Sequence, residues 1–260
     1  MRTTIDIDDA LLQRAEVMFP SGTSKRALVN EALRRMVESP IERLPIRRKP
    51  EGLEECPPWL PTKDFLSDFL EDTVLIGGIA VWLHSKTSAD LVPECTYDAD
   101  LYVSLSAWAE MRDVYDTTAN RRLNKHQAIV QGVEIDLYVE HHHGLRLDYA
   151  TVVAQAISLE GVQVACLEHL LLLKIDALQA RQGSAHGAKD RRDVAKILVL
   201  LSDQVPDQVV LHGQPDDLAV VHQVLRSEAF ADIAEGNAHQ ASALRRRAAL
   251  FLQAWDRVIA

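Results

Sequence analysis

Two aspartates, Asp98 and Asp100, lie one residue apart in the stretch TYDADLYV, which otherwise alternates like a buried strand. Because side chains alternate between the two faces of a strand, both carboxylates project from one face, where they repel each other. A second alternating stretch, VEIDLYV, places Asp136 on its polar face. If the two strands are neighbours, three carboxylates converge and suit a hard divalent cation such as Mg²⁺ that bridges substrate phosphates. The alternative is a polar sheet face that is simply solvated.

A double glycine, Gly77 and Gly78, follows the apolar stretch TVLI and precedes IAVWLHSK, which has the pattern of a helix start. Glycines at the beginning of a helix let backbone N–H groups approach a phosphate closely, although such turns also contain glycine for packing alone. The 19 residues from 79 to 97 separate this turn from the first aspartate, and we predict a loop around TSADLVPE.

Two helical stretches, CLEHLLLLKIDALQAR and KDRRDVAKILVLL, follow these motifs. In this order the motifs resemble nucleotidyltransferase-fold proteins of the AbiEii and minimal-nucleotidyltransferase toxin group, over roughly residues 70 to 202. The resemblance implies Mg²⁺ or Mn²⁺ as cofactor and an NTP as substrate. It implies metal ligands at Asp98, Asp100 and Asp136, catalytic roles for these three and Lys174, and a nucleotide-binding set of Gly77, Gly78, Lys189, Asp190 and Asp193.

The N-terminal stretch RTTIDID alternates like a half-buried strand, and apolar stripes predict helices over residues 9–18 and 24–38. This order resembles a VapB-type ribbon-helix-helix antitoxin, whose strands pair between two chains and enter the DNA major groove. The resemblance implies a homodimer that binds operator DNA, although Asp6 would repel phosphates; the alternative is a dimerisation module without DNA binding. The DNA-binding set would be Arg2, Thr4, Asp6, Ser24, Lys25 and Arg26.

The charge of the chain is unevenly distributed. The net charge is −10, yet residues 1–50 contain ten Lys or Arg against seven Asp or Glu, while the rest contains 18 against 31. The N-terminal piece is therefore expected to be a separate module. No apolar run is long enough to span a membrane, no secretory pattern is visible, and the three cysteines have no metal-type spacing. We expect a cytoplasmic protein that does not contact membranes.

We predict an α+β protein in which a small ribbon-helix-helix arm precedes a nucleotidyltransferase-fold mixed sheet with a helical C-terminal half. The expected segments are the arm at 1–39, a proline-rich linker at 40–62 whose Trp59 lies on the domain that follows, the catalytic core at 63–160 and the helical half at 161–260. The function implied is metal-dependent transfer of a nucleoside monophosphate to an RNA, such as tRNA, or a protein. The alternatives are an inactive fold that serves as a DNA-binding regulator or antitoxin, and modification of a small molecule such as an aminoglycoside.

Overall fold

A computed structural model describes residues 56–181 and 183–259. The predicted strand and two helices of the N-terminal arm lie outside these residues. The strands are β1 (Thr73–Ile76), β2 (Asp98–Val103), β3 (Thr117–Asn120), β4 (Lys125–Val130), β5 (Val133–Val139), β6 (Ile157–Leu159) and β7 (Val162–Val164). The helices are α1 (Trp59–Ser67), α2 (Gly77–Ser85), α3 (Leu105–Val114), α4 (Tyr149–Ala154), α5 (Leu167–Ala180), α6 (Ala185–Leu200), α7 (Asp207–His212), α8 (Asp217–Arg226), α9 (Ala229–Ile233) and α10 (Ala238–Ile259).

The strands form one seven-stranded mixed sheet in the order β3-β4-β5-β2-β1-β7-β6. The pairs β2–β5 and β1–β7 are parallel, and the other neighbouring pairs are antiparallel. Strands β2 and β5 lie side by side near the middle of the sheet, as the carboxylate hypothesis requires. The predicted mixed sheet is therefore confirmed.

Alternation along β2 and β5 decides which side chains enter the core. Ala99, Leu101 and Val103 are fully buried, and so are Ile135 and Leu137 on β5. Because these apolar side chains occupy one face of each strand, the polar side chains between them are forced to the opposite face. A slip of one residue in either strand would bury a carboxylate in this apolar layer.

The chain after β7 is helical, as predicted. Helix α6 begins after Ser184, whose side chain caps it by accepting a hydrogen bond from the Gly187 N–H at 3.0 Å. Helices α5 and α6 pack together, and the long helix α10 packs on α6 with Phe251 and Trp255 fully buried. These contacts fix the position of α6, which matters because α6 contributes charged residues to the site described below.

The first helix begins inside the segment predicted to be a linker. The linker was expected to continue to residue 62, whereas α1 starts at Trp59. Pro58 is the N-cap and Pro61 lies in the first turn, where a missing backbone N–H costs no helical hydrogen bond. Trp59 is only 2% exposed, lies 6.0 Å from Trp82 between ring centroids, and donates from Nε1 to Glu160 at 3.0 Å. The prolines therefore start a packed helix that belongs to the domain.

Two of the three cysteines form a disulfide, which the sequence reasoning did not anticipate. Cys56 and Cys95 are bonded, with their Cα atoms 5.2 Å apart, while Cys166 is a free thiol. The bond connects the start of the described domain to the end of the loop that precedes β2.

None of the helices within the described residues combines the length and apolar character needed to cross a bilayer.

Candidate active site

Three aspartates are brought to one face of the sheet by β2 and β5. In the parallel register Asp100 pairs with Asp136, and Asp98 pairs with Glu134. Paired residues in neighbouring strands project to the same side, so the three aspartates share the polar face. Asp136 is 3% exposed, and Asp98 and Asp100 are partly exposed. The structure thus places together the carboxylates that the sequence predicted.

The double glycine lies directly against this face. Gly77 has a φ of +68°, and a Cβ at this position would lie 1.9 Å from Oδ2 of Asp100. A Cβ on Gly78 would lie 2.9 Å from both the Lys189 ammonium and the Cβ of Thr96. Both positions therefore require glycine, one for its backbone conformation and both for the close approach. The N-terminus of α2 is held against the carboxylate of Asp100 as a result.

Repulsion at this site has an electrostatic consequence for Asp100. Burial, together with the nearby charges of Asp98 and Asp136, raises the pKa of Asp100 from 3.8 to about 7. Lys174 and Lys125 act in the opposite direction and do not compensate fully. The charged form of Asp100 is therefore disfavoured in the metal-free protein, and a bound cation would favour it.

The helical half contributes a second charged cluster. The Lys174 ammonium lies 3.0 Å from Asp190 and 2.8 Å from Asp193, and Lys189 lies 3.3 Å from Asp193. Burial lowers the pKa of Lys174, but Asp193 and Asp190 outweigh it and hold that pKa above its usual range. Burial likewise raises the pKa of Asp193, but the neighbouring lysines bring it below its usual range. Lys174, which the resemblance implied as catalytic, and the implied nucleotide-binding residues Lys189, Asp190 and Asp193 thus form one connected cluster of ion pairs.

This cluster adjoins the glycine turn through Lys189. Its ammonium would lie 2.9 Å from a Cβ built on Gly78, and Lys174 acts electrostatically on Asp100. Lys174 itself is held by two buried carboxylates. Lys189, whose side chain is 25% exposed and which has one long contact to Asp193, retains more capacity to bind an anionic ligand.

The first part of the interval between the glycine turn and Asp98 belongs to α2, and the rest, from residue 86 to 97, is a loop that α6 anchors. Glu94 accepts hydrogen bonds from Arg192 at 2.6 Å and from Lys196 at 3.0 Å. Thr96 follows, and its hydroxyl donates to Asp98 at 2.5 Å. The loop predicted around TSADLVPE is therefore present, and its end orients the first carboxylate.

Other polar residues at the site were missed by the sequence reasoning. On β4, the Lys125 ammonium forms an ion pair with Oδ2 of Asp136, and Gln127 donates from Nε2 to Oδ1 at 2.9 Å. Arg181 lies 3.4 Å from Asp190. The alternation of Lys125 and Gln127 on either side of His126 was visible in the sequence and would have placed both on the polar face of a neighbouring strand.

The donor set suits a hard divalent cation in its chemistry. The three aspartates offer only oxygen atoms, which Mg²⁺ and Mn²⁺ accept, and burial beside two other carboxylates raises the pKa of Asp100. Within residues 56–181 and 183–259, no group of three His, Cys, Asp or Glu side chains is arranged tightly enough to hold an ion. The residues fit the cation by type, while their side-chain arrangement does not form a complete cage.

The residues predicted to bind DNA are Arg2, Thr4, Asp6, Ser24, Lys25 and Arg26, and all lie outside the part of the chain that the structure describes. Residues 1–47 match the family model of VapB, the bacterial antitoxin of type II toxin–antitoxin systems. The predicted antitoxin-like region at the N-terminus is thereby confirmed. DNA binding and dimerisation by this region remain predictions.

Several solved structures are similar to the chain. An antigenic nucleotidyltransferase-like protein from Paracoccidioides brasiliensis is 19% identical over 72% of this chain and 89% of its own, with a TM-score of 0.40. JHP933 from Helicobacter pylori is 12% identical over 76% of this chain and 93% of its own, with a TM-score of 0.42. The Megavirus polyadenylate synthase is 12% identical over 88% of this chain and 45% of its own, with a TM-score of 0.41. Similarity at this level carries no functional information. No curated protein matches the chain.

Proposed function

We propose that this protein is a metal-dependent nucleotidyltransferase of a toxin–antitoxin type, which transfers a nucleoside monophosphate from an NTP to an RNA or protein acceptor. The observation that carries the proposal is the close approach of the glycine turn to Asp100, which pairs in register with Asp136. A phosphate-binding helix N-terminus beside clustered carboxylates is an arrangement that suits transfer of a phosphoryl-linked group.

Each part of the site has a role in this proposal. The N–H groups of Gly77 and Gly78 would donate to the triphosphate, and Lys189 would neutralise part of its charge. Asp98 and Asp100 would hold Mg²⁺ or Mn²⁺, with Asp136 as the third carboxylate. When bound, the ion would supply the positive charge that the triphosphate and the leaving pyrophosphate require.

In the chemical step, a side chain of the protein would accept the proton of the acceptor hydroxyl. The acceptor hydroxyl oxygen would bond to the α-phosphorus as the bond from that phosphorus to the bridging oxygen breaks, and pyrophosphate would leave with the bond electrons. Asp136 would accept the hydroxyl proton and pass it to solvent. Lys174 would act indirectly. It forms ion pairs with Asp190 and Asp193, and Asp193 in turn contacts Lys189 and positions it.

The antitoxin-like region adds a regulatory role. The family match at residues 1–47 supports pairing of two chains and binding of operator DNA, with Arg2, Thr4 and Asp6 facing the groove. Ser24, Lys25 and Arg26 would contact a phosphate at the start of a helix. One chain would then combine DNA binding with transfer activity.

The proposal is tested with full-length protein, labelled NTPs, Mg²⁺ and separate mixtures of cellular RNA, cellular protein and aminoglycosides. We expect label in RNA or protein, and loss of transfer by at least about a hundredfold in Asp98→Asn and Asp100→Asn, because each removes a metal-binding charge. Asp113→Asn, on the exposed surface of α3, is the matched control and should be fully active.

The outcomes separate the candidate functions. Unchanged transfer in both site variants would exclude this site. Label in aminoglycosides alone would indicate small-molecule modification. If the wild-type protein transfers nothing but binds operator DNA, the chain is a regulator with an inactive fold, and the proposal is wrong.

A further inference from the structure

The carboxylate of Asp136 is fully engaged by residues of β4. Its Oδ2 forms an ion pair with the Lys125 ammonium, and its Oδ1 accepts from Nε2 of Gln127 at 2.9 Å. The side chains of Lys125 and Asp136 are only 9% and 4% exposed, respectively. Both oxygens of Asp136 therefore have a donor, and one of those donors is itself a cation shielded from water.

The other two carboxylates differ from Asp136. Asp98 accepts on Oδ1 from the Thr96 hydroxyl, and within the described residues no hydrogen-bond donor reaches the carboxylate of Asp100. Both are partly exposed on the polar face of β2. The oxygen atoms that remain available for a cation are thus concentrated on β2.

Removing Lys125 from Asp136 would be costly. A buried ammonium that loses its partner carries an uncompensated charge, and breaking such a pair is strongly unfavourable. A divalent ion that approached Asp136 would also be repelled by the ammonium already there. Asp136 is therefore a poor ligand while this pair persists.

We propose that Lys125 is the resident cation of Asp136, so that the nucleotide-free protein binds one divalent ion, on Asp98 and Asp100 alone. This inference rests on the proposed function for the presence of a metal, and it narrows the metal ligands from three carboxylates to two. Each oxygen of Asp136 has a second lone pair, so Asp136 can still accept the hydroxyl proton while Lys125 and Gln127 position it.

The test is a count of Mn²⁺ ions bound to full-length protein without nucleotide, measured from the free Mn²⁺ signal in electron paramagnetic resonance. We expect one ion per chain in the wild type. Asp98→Asn should weaken binding of that ion by about tenfold or more, because it removes a ligand charge. The double variant Lys125→Met/Asp136→Asn, which leaves no buried ammonium without a partner, should keep the ion with an affinity within about threefold. Lys125→Met should bind a second ion, because Asp136 then has no cation beside it.

Two control variants keep the experiment decisive. Lys125→Arg retains the positive charge and should still bind one ion, so it tests the idea even if Lys125→Met does not fold. Arg122→Met removes one exposed charge from the same hairpin and should change neither the count nor, by more than about twofold, the affinity. Circular dichroism checks the fold of each variant.

The results distinguish this inference from the proposed function. Two ions in the wild type, two in Lys125→Arg, only one in folded Lys125→Met, or loss of the ion in Lys125→Met/Asp136→Asn would overturn the role of Lys125 while leaving a metal site in place. Absence of binding in the wild type, or unchanged binding in Asp98→Asn, would remove the metal site itself and with it both proposals.

Discussion

Substitution of Asp100 by Asn is expected to stabilise the metal-free protein, and the gain should increase with pH. The pKa of Asp100 is raised from 3.8 to about 7 by burial and by the charges of Asp98 and Asp136. As the pH rises above 3.8, the unfolded chain loses this proton while the folded protein keeps it. The wild type therefore loses stability between about pH 4 and pH 7, and the loss is complete above pH 7. The Asn variant has no such proton to lose.

The size of the effect follows from the two pKa values. They differ by about three, and each pKa unit corresponds to about 1.4 kcal/mol, which sets an upper limit of about 4 kcal/mol. Asp100 is partly exposed, so solvent screening reduces this figure, and we expect a pH-dependent gain of about 2 kcal/mol. Added Mg²⁺ should reduce the difference because it binds the folded wild type and stabilises it.

Tryptophan fluorescence provides a suitable readout of urea unfolding in EDTA from pH 4.5 to pH 8. All four tryptophans of the chain lie in the described domain, at positions 59, 82, 108 and 255, so the signal reports on this domain alone. The exposed Asp113→Asn variant serves as control and should track the wild type. A stability difference between Asp100→Asn and wild type that does not vary with pH would refute the electrostatic account of this site.

Two further predictions concern the glycine turn and the oligomeric state. Gly77→Ala should lose nearly all transfer activity, because its Cβ would lie 1.9 Å from Oδ2 of Asp100. Gly161 has a similarly positive φ of +87° and no atom within 4 Å of an added Cβ. Gly161→Ala should therefore show only the backbone cost of about 1 kcal/mol in the free energy of unfolding. Activity retained in Gly77→Ala would mean that transfer does not need the close approach of Gly77 to Asp100. The full-length protein should be a dimer by light scattering and a chain starting at Glu55 a monomer, because the predicted strand at residues 2–8 needs a partner strand. A monomeric full-length protein would contradict the ribbon-helix-helix assignment.

The central strands and their polar face were predictable because alternation determines them directly. Asp98 and Asp100 could be assigned to one face from spacing alone, and Asp136 followed once β5 was placed beside β2. The glycine turn was also visible as a strand-to-helix change. Alternation does not reveal which strands are neighbours, so the register of Asp100 with Asp136 is known only from the structure.

Other features depend on contacts between residues far apart in the chain. Pro58 and Pro61 suggested an extended linker because composition does not reveal the helix that starts at Trp59, although Trp59 itself was expected on the domain, where it packs beside Trp82. The bond between Cys56 and Cys95 spans 39 residues and has no local signal. The pairing of Lys125 with Asp136 likewise depends on the antiparallel packing of β4 on β5, in which a long side chain reaches along the sheet.

Strand β2 is held on both sides, by β1 in antiparallel and by β5 in parallel orientation. Its position along the strand axis can therefore change only in whole-residue steps, and a single step would exchange Asp98 and Asp100 for Ala99 and Leu101 at the polar face. The geometry of the carboxylates thus behaves as an all-or-none property of the fold. Substitutions in the loop before Thr96 can alter how a substrate enters, but they cannot move the backbone of Asp98 and Asp100 along the strand by less than one residue.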